Sequence, residues 1–422
     1  MTQAAMLYRE MLSLTIYRGI LRQPVTAALL GLYRAAASRD AEAVFEGWGA
    51  LCGLLAERDS FSSLPSAMAA EVLEDENAFV SRLVAGRLRV TGRGVDPVVP
   101  EELARLAKRD LAVLYRAASA DPAGLLDCVE PELAGSLPRW GGAPAPAPLD
   151  RPWDACLDAL RDYHRRNGCG CFAAHRAFLW RDGVMLPVEH PDPIRLSNLK
   201  GYEYQRRIAV DNTRAFLDGF EANNMLLYGD RGTGKSSTVK ALLNEYAGQG
   251  LRMIEMPKEF LRQLPDLTGH LAAVPMKFIV FIDDLSFSDN DDSFAALKAV
   301  LEGGLASRPD NVVIYATSNR RHLLRESFSA RQGDEVHHAD TVQEAVSLSD
   351  RFGITLTFLM PDKQRFLEIV EQIAADRGLD VDRQTLLNAA ERWALERGAR
   401  SPRYARQFIA DAQAKLSRGE SL

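Results

Sequence analysis

Residues Gly229 to Ser236 read GDRGTGKS, and the spacing G-x-x-x-x-G-K-[ST] is met at every fixed position. The motif follows a short apolar run, Met225 to Tyr228, and precedes an amphipathic stretch reaching about Tyr246. A strand that passes into a helix through such a turn belongs in a mainly parallel α/β sheet. Gly229, Gly232 and Gly234 let the backbone wrap until its N–H groups converge on one point, where the helix N-terminus adds its positive end. A phosphate group is what that geometry holds. Lys235 supplies a point charge for β- and γ-phosphates, and the Ser236 hydroxyl is a ligand for Mg²⁺. Asp230, Arg231 and Thr233 fill the intervening positions and are counted with the cradle. Ser237 is either an α-phosphate contact or a helix cap.

Further along, KFIVFIDDLSF is an apolar strand that ends in two carboxylates. Unpaired acids at the end of a buried strand are costly unless something uses them. With a phosphate cradle upstream, Asp283 is expected to hold Mg²⁺, directly or through water, and Asp284 to orient the attacking water. The plainer alternative is a pair of acids capping the strand at the surface. Most such sites carry glutamate at the second position; aspartate is one methylene shorter, which points to slow hydrolysis.

Five β-rich runs alternate with amphipathic segments: Met225 to Tyr228, Arg252 to Met256, Phe278 to Ile282, Val312 to Ala316 and Ile354 to Phe358. They predict a parallel five-stranded sheet flanked by helices. Beyond Pro361 three helices form a lid, with Gly378 and Gly398 as stops and Ser401-Pro402 as a start. The first part of the chain is mostly helical; Val44, Trp48, Leu51, Leu54 and Leu55 keep the 3.6-residue period. The segment Gly141 to Pro148, GGAPAPAP, reads as a linker or solvent-exposed connection. The expected division is a helical N-terminal domain at 1–140, connecting helical and strand segments at 141–195, a nucleotide-binding core at 196–361 and a lid at 362–422.

Length agrees, since 422 residues suit two or three domains of roughly 150 each. With 51 basic against 57 acidic residues, the net charge of -6 supplies no global field for nucleic acid. Arg9, Glu10 and Arg18 interrupt the apolar N-terminal stretches, so neither a signal peptide nor a membrane span is expected there. Five cysteines, an odd number, fit reduced thiols and a cytoplasmic protein. His164, Cys169, Cys171 and His175 offer a set of four metal ligands, but a single residue between the cysteines suits a tight turn better than zinc. The acidic run Ser288 to Phe294 is expected to cap a helix, and His337 and His338 to lie in a solvated insertion.

Together with VVIYATSN, SLSDRFG and RSPRYARQF, these motifs make the region from about Leu196 onward resemble the AAA+ ATPases. More narrowly it resembles the bacterial family catalogued as domain of unknown function 815, through NNMLLYGDRGTGKSS, FIDDLSF, LEGGLASRPDNVVIYATSNRRHL and LSDRFGI. The resemblance implies ATP as ligand, Mg²⁺ as cofactor and a homo-oligomer, a ring of hexameric kind, acting on an unknown protein client. It implies that Asn319 is the first sensor of the γ-phosphate and that Arg351 is an arginine finger reaching a neighbouring subunit's nucleotide. Arg403 falls at the second sensor, with Arg400 and Arg406 as competitors, and Tyr202 at an adenine contact. No aromatic-glycine loop of the protein-unfolding subclass stands between Met256 and Lys277. Two functions follow as expectations: an ATP-hydrolysing remodeller or loader, and a nucleotide-gated switch or scaffold that recruits a partner through its N-terminal helices. A loader acting on DNA and a small-molecule kinase are further alternatives.

Overall fold

The computed structural model describes residues 2–85, 99–272, 274, 276–286, 292–302, 309–319 and 351–422. The chain divides into two compact units, Met1–Ala174 and His175–Leu422. His337, His338 and the first half of the acidic run lie outside the described residues.

The first unit is helical: α1 (Gln3–Leu12), α2 (Pro24–Ser38), α3 (Ala41–Glu57), α4 (Leu64–Glu74), α5 (Ala78–Ala85), α6 (Glu101–Ser119), α7 (Pro131–Ser136), α8 (Leu157–Asn167) and α9 (Cys171–Ala174). On α3 the predicted stripe is inward: Val44, Trp48, Leu51 and Leu55 are buried, and Leu54 packs at the edge of the same core. Two buried carboxylates organise this unit by satisfying backbone N–H groups at chain turns and helix starts. Asp110 on α6 accepts from the N–H groups of Thr15, Ile16 and Tyr17 at 2.8, 2.7 and 3.2 Å. Glu71 on α4 accepts from Val25 and Thr26 at 2.8 and 2.9 Å, so it caps α2 just after its first-turn proline.

The Gly141 to Pro148 segment is mostly exposed, as one of the two sequence readings has it, but it lies within the first unit and is tied to the loop before α4. Gly141 donates its N–H to the Phe61 carbonyl and accepts from Leu64 N–H, and the Ser63 hydroxyl donates to the Ala143 carbonyl. Ala145 and Leu149 are buried, and Trp140 stacks at 4.4 Å on Trp48. Proline removes donors but leaves carbonyls, and the loop before α4 supplies the donors that those carbonyls need.

The second unit is built on a seven-stranded sheet ordered β2-β1-β4-β5-β6-β3-β7. Its strands are β1 (Ala177–Arg181), β2 (Val184–Pro187), β3 (Met225–Gly229), β4 (Leu251–Glu255), β5 (Lys277–Ile282), β6 (Val312–Ser318) and β7 (Ile354–Phe358). The five expected strands are present and parallel; β1 extends the sheet in parallel with β4, and β2 adds an antiparallel edge. The sequence reading left these two in the connecting segment. Asp182 and Gly183, at φ 51° and 77°, form the tight turn between them, a conformation for which Asp-Gly is suited. Every residue of β5 and β6 is buried, as a sheet covered on both faces requires.

Helices α10 (Glu203–Leu217), α11 (Lys235–Tyr246), α12 (Leu264–Ala272) and α13 (Asp292–Glu302) accompany the sheet. After β7 come α14 (Lys363–Asp376), α15 (Arg383–Glu396) and α16 (Pro402–Ser417), packed around Phe366, Ile369, Val370, Leu386, Ala390, Phe408 and Ile409. Gly378 and Gly398 take φ of 62° and 67° at the stops, and Ser401 caps α16 by accepting from Tyr404 N–H. A buried polar knot secures α10 to the sheet: Asn212 Nδ2 donates to Tyr315 Oη and Thr213 Oγ1 shares a hydrogen bond with it, both at 2.9 Å. Among the described residues no helix is long and apolar enough to cross a membrane.

Candidate nucleotide-binding site

Strand β6 lies between β3, which leads into the glycine-rich loop, and β5, which ends at the paired acids. The C-terminal ends of all three parallel strands therefore meet, and a cavity of about 550 Å³ opens there. That volume is within the range of small-molecule sites.

The loop has the backbone its glycines foretold. Gly229, Gly232 and Gly234 take φ of 132°, 77° and 100°, and a Cβ on Gly229 would stand 2.2 Å from the Phe358 carbonyl oxygen. Helix α11 starts at Lys235. Lys235 is 6% exposed, and its ammonium donates to the carbonyls of Gly229 and Asp230 at 2.9 and 2.7 Å and to Asn319 Oδ1 at 3.0 Å. Burial lowers its pKa, with Asp230, Asp284 and Asp283 opposing the shift.

Around the acids the hydrogen bonds form a closed set. Asp283 Oδ1 accepts from Ser236 Oγ at 2.6 Å and from Thr317 Oγ1 at 2.5 Å. Asp284 has φ of 52°, its N–H donates to Thr317 Oγ1 at 3.0 Å, and its Oδ1 accepts from Asn319 Nδ2 at 2.6 Å. Asn319 thus bridges Lys235 and Asp284.

The structure brings Arg231, Gly232, Thr233, Gly234, Lys235, Ser236, Ser237, Asp283, Asp284, Asn319 and Arg403 to the cavity wall. Asp230 is turned elsewhere: its Oδ2 accepts from Met360 N–H at 2.5 Å, tying the loop to the chain that leaves β7. A carboxylate facing phosphate would repel it, so this orientation is electrostatically sensible. Of the three arginines weighed on α16 and before it, Arg403 and Arg406 line the cavity, and Arg403 N–H also donates to the Gly232 carbonyl at 3.2 Å. Arg400 is bonded to Glu391 at 2.6 Å. Tyr202 lines the cavity too, its hydroxyl donating to the Leu359 carbonyl at 2.6 Å and its ring 5.0 Å from that of Phe358.

Arg351 is not brought to this cavity. Strand β7 runs parallel to β3 with Ile354 beside Met225 and Phe358 beside Gly229. Those four residue steps span about 13 Å, and Arg351 precedes them, at the opposite end of the sheet from its own glycine-rich loop. Gly353 fixes that end: a Cβ there would stand 2.2 Å from Asn223 Oδ1.

Sequence reasoning missed Thr317, although the two-residue period of a strand puts it on the same face as Asn319. It also missed Arg206, Lys200 and Thr238 on the wall, for which the sequence holds no separate motif. In the first unit His164 is fully buried with Nδ1 2.9 Å from the Gly168 carbonyl oxygen, and Cys169 and Cys171 flank Gly170 at φ 57°. No group of three or more His, Cys, Asp or Glu that could hold a metal occurs among the described residues.

Among solved structures, the RuvB Holliday junction branch migration motor of Thermotoga maritima is similar at 16% identity and a TM-score of 0.38, over 54% of this chain and 66% of that one, just under two thirds of its length. Two point variants of that motor match over the same shares at 16% and 15% identity, each with a TM-score of 0.38. No curated protein matches the chain. A profile of the family described as "Protein of unknown function (DUF815)" matches residues 173–416, more than half of the sequence, and the chain belongs to that family.

Proposed function

We propose that the chain is a cytoplasmic AAA+ ATPase that binds ATP with Mg²⁺, hydrolyses it to ADP and phosphate, and works as a homo-oligomeric ring, of hexameric kind, remodelling or loading a protein client. One observation carries the reading. Lys235, Ser236, Asp283, Asp284 and Asn319, from two strand ends and one helix start, converge on a single cavity.

The residues present suit the ligands. Three glycines at positive φ leave room for a backbone cradle, and Gly229, Asp230, Arg231, Gly232, Thr233 and Gly234 form it, with Lys235, Ser236 and Ser237 opening the helix behind. Ser236 Oγ and the Asp283 carboxylate, 2.6 Å apart, are hard oxygen donors, the protein's usual share of a Mg²⁺ shell completed by phosphate and water. When bound, Mg²⁺ draws charge from the phosphate oxygens. Asp284 orients water and accepts its proton. Lys235 offsets the charge that develops on the phosphates, Asn319 reports on the γ-phosphate, and Arg403 reaches the site from the lid. Arg351, remote from its own cradle, acts on the nucleotide of the next copy in the ring. A net charge of -6 gives no support to a nucleic-acid client, which would need a local basic patch.

Phosphate release from ATP by the assembled protein tests this. Arg351→Ala is expected to slow hydrolysis by about 10³-fold or more while ATP affinity stays near that of the unaltered chain. Equal losses in both would overturn the role given to Arg351. A second reading, a nucleotide-gated switch recruiting a partner through the N-terminal helices, is favoured by the 2.6 Å bond that draws Asp284 toward Asn319. Tight ATP binding with negligible phosphate release from the assembled protein would select it.

A further inference from the structure

A hydroxyl in the middle of a sheet is unfavourable unless its hydrogen bonds are made. Thr317 is 1% exposed at the end of β6, and its Oγ1 makes two. It donates to Asp283 Oδ1 at 2.5 Å and accepts from the Asp284 N–H at 3.0 Å. The clamp continues along the backbone: the Thr317 carbonyl accepts from Leu285 N–H at 2.7 Å, and Ser318 Oγ donates to the Leu285 carbonyl at 2.8 Å. The turn these contacts hold contains Asp284 at φ 52°, a left-handed conformation that aspartate tolerates without favouring. Such backbone persists where its surroundings over-determine it.

We propose that Thr317 is the positioning residue of the hydrolytic site, one hydroxyl setting the orientation of both acids. Its proton fixes the Asp283 carboxylate beside Ser236, and its lone pair fixes the turn that aims Asp284. The inference rests on the ATPase reading and deepens it, since it separates the two carboxylates' tasks and names the group that coordinates them. Valine keeps the shape of threonine and removes only the hydroxyl; serine keeps the hydroxyl.

The test uses the full chain and two readouts: steady-state phosphate release, and Mn²⁺ affinity of the ADP-bound protein measured by electron paramagnetic resonance. Thr317→Val is expected to weaken Mn²⁺ binding and slow turnover by about 10- to 100-fold, the range for residues that orient metal ligands. Affinity for a fluorescent ATP analogue in EDTA should stay within about twofold, because the hydroxyl acts on the acids and not on the phosphate cradle. Thr317→Ser should recover most of both losses. Unchanged Mn²⁺ affinity and turnover in Thr317→Val would overturn the inference, as would a serine variant as impaired as valine, which would assign the effect to methyl packing. Failure of the unaltered chain to bind any nucleotide would overturn the ATPase reading and this inference with it. Binding without turnover would overturn only hydrolysis and leave the Mn²⁺ readout to decide.

Discussion

At the scale of single residues, the site is a set of charges held at short range in a partly closed cavity, and Lys235 shows the consequence. Its ammonium is buried, and desolvation lowers its pKa from the ordinary lysine value of 10.5, against the pull of Asp230, Asp284 and Asp283. The phosphates of a bound nucleotide would favour the charged form and lift that pKa again. ATP affinity is therefore expected to fall as pH rises through the lowered pKa, earlier on the alkaline side than for an ordinary lysine. In the same window binding takes up protons, which isothermal calorimetry in two buffers of different ionisation enthalpy would register as a difference in apparent heat. Equal heats in the two buffers at alkaline pH would contradict it. The sequence disclosed Lys235 because its spacing is rigid, and it disclosed Asp283 because buried acids need a partner. It hid Thr317, whose role depends on β6 lying between the loop strand and the acid strand, an order that no local pattern encodes.

At the scale of elements, α8 ends on a balance between two effects. A histidine in the last turn of a helix gains from protonation through the helix dipole, but His164 is fully buried, and desolvation lowers its pKa below 6.5 despite the bond to the Gly168 carbonyl. With the folded pKa below the unfolded one, the unfolded chain binds the extra proton first. Stability linked to His164 is thus present above about pH 6.5 and lost as pH falls toward the folded pKa. Thermal unfolding should show a smaller drop between neutral and mildly acidic pH for His164→Gln than for the unaltered chain; identical drops would remove His164 from the account. Element boundaries were legible where one physical signal dominated. Strands β3 to β7 fell within two residues of their predicted ends: β5 and most of β3 and β6 are apolar runs covered on both faces, and the edge strand β7, ITLTF, shows the two-residue alternation instead. The β1–β2 hairpin was not, since AFLWRDGVMLP is short and its edge strand is mostly exposed. The proline-rich segment was legible as exposed chain, but its attachment was not, because composition tells which hydrogen bonds a segment cannot make, whereas its place was set by carbonyls that found donors at the start of α4.

At the scale of the whole molecule, the register of β7 against β3 bears on the role proposed for Arg351. With Ile354 beside Met225 and Phe358 beside Gly229, the strand itself separates Arg351 from the glycine-rich loop of the same chain. Side chains do not bridge the full length of a strand, so an arginine that triggers hydrolysis from this position must serve another copy. That requires a heterologous, head-to-tail contact, the kind that closes into rings. Such an arrangement has a consequence that an intramolecular one lacks. Under the proposed roles, Lys235→Ala would spoil the cradle and Arg351→Ala the trigger, so each variant alone should hydrolyse ATP poorly. In a mixed assembly, an intact cradle on the Arg351→Ala copy meets an intact trigger on the Lys235→Ala copy. Random equal mixing would make about a quarter of the seams productive. Phosphate release should therefore rise above that of either variant alone, pass through a maximum near equal proportions, and fall when the subunits are diluted apart. Mixtures no more active than the average of the two separate variants, under conditions where both are seen to co-assemble, would rule out a shared site.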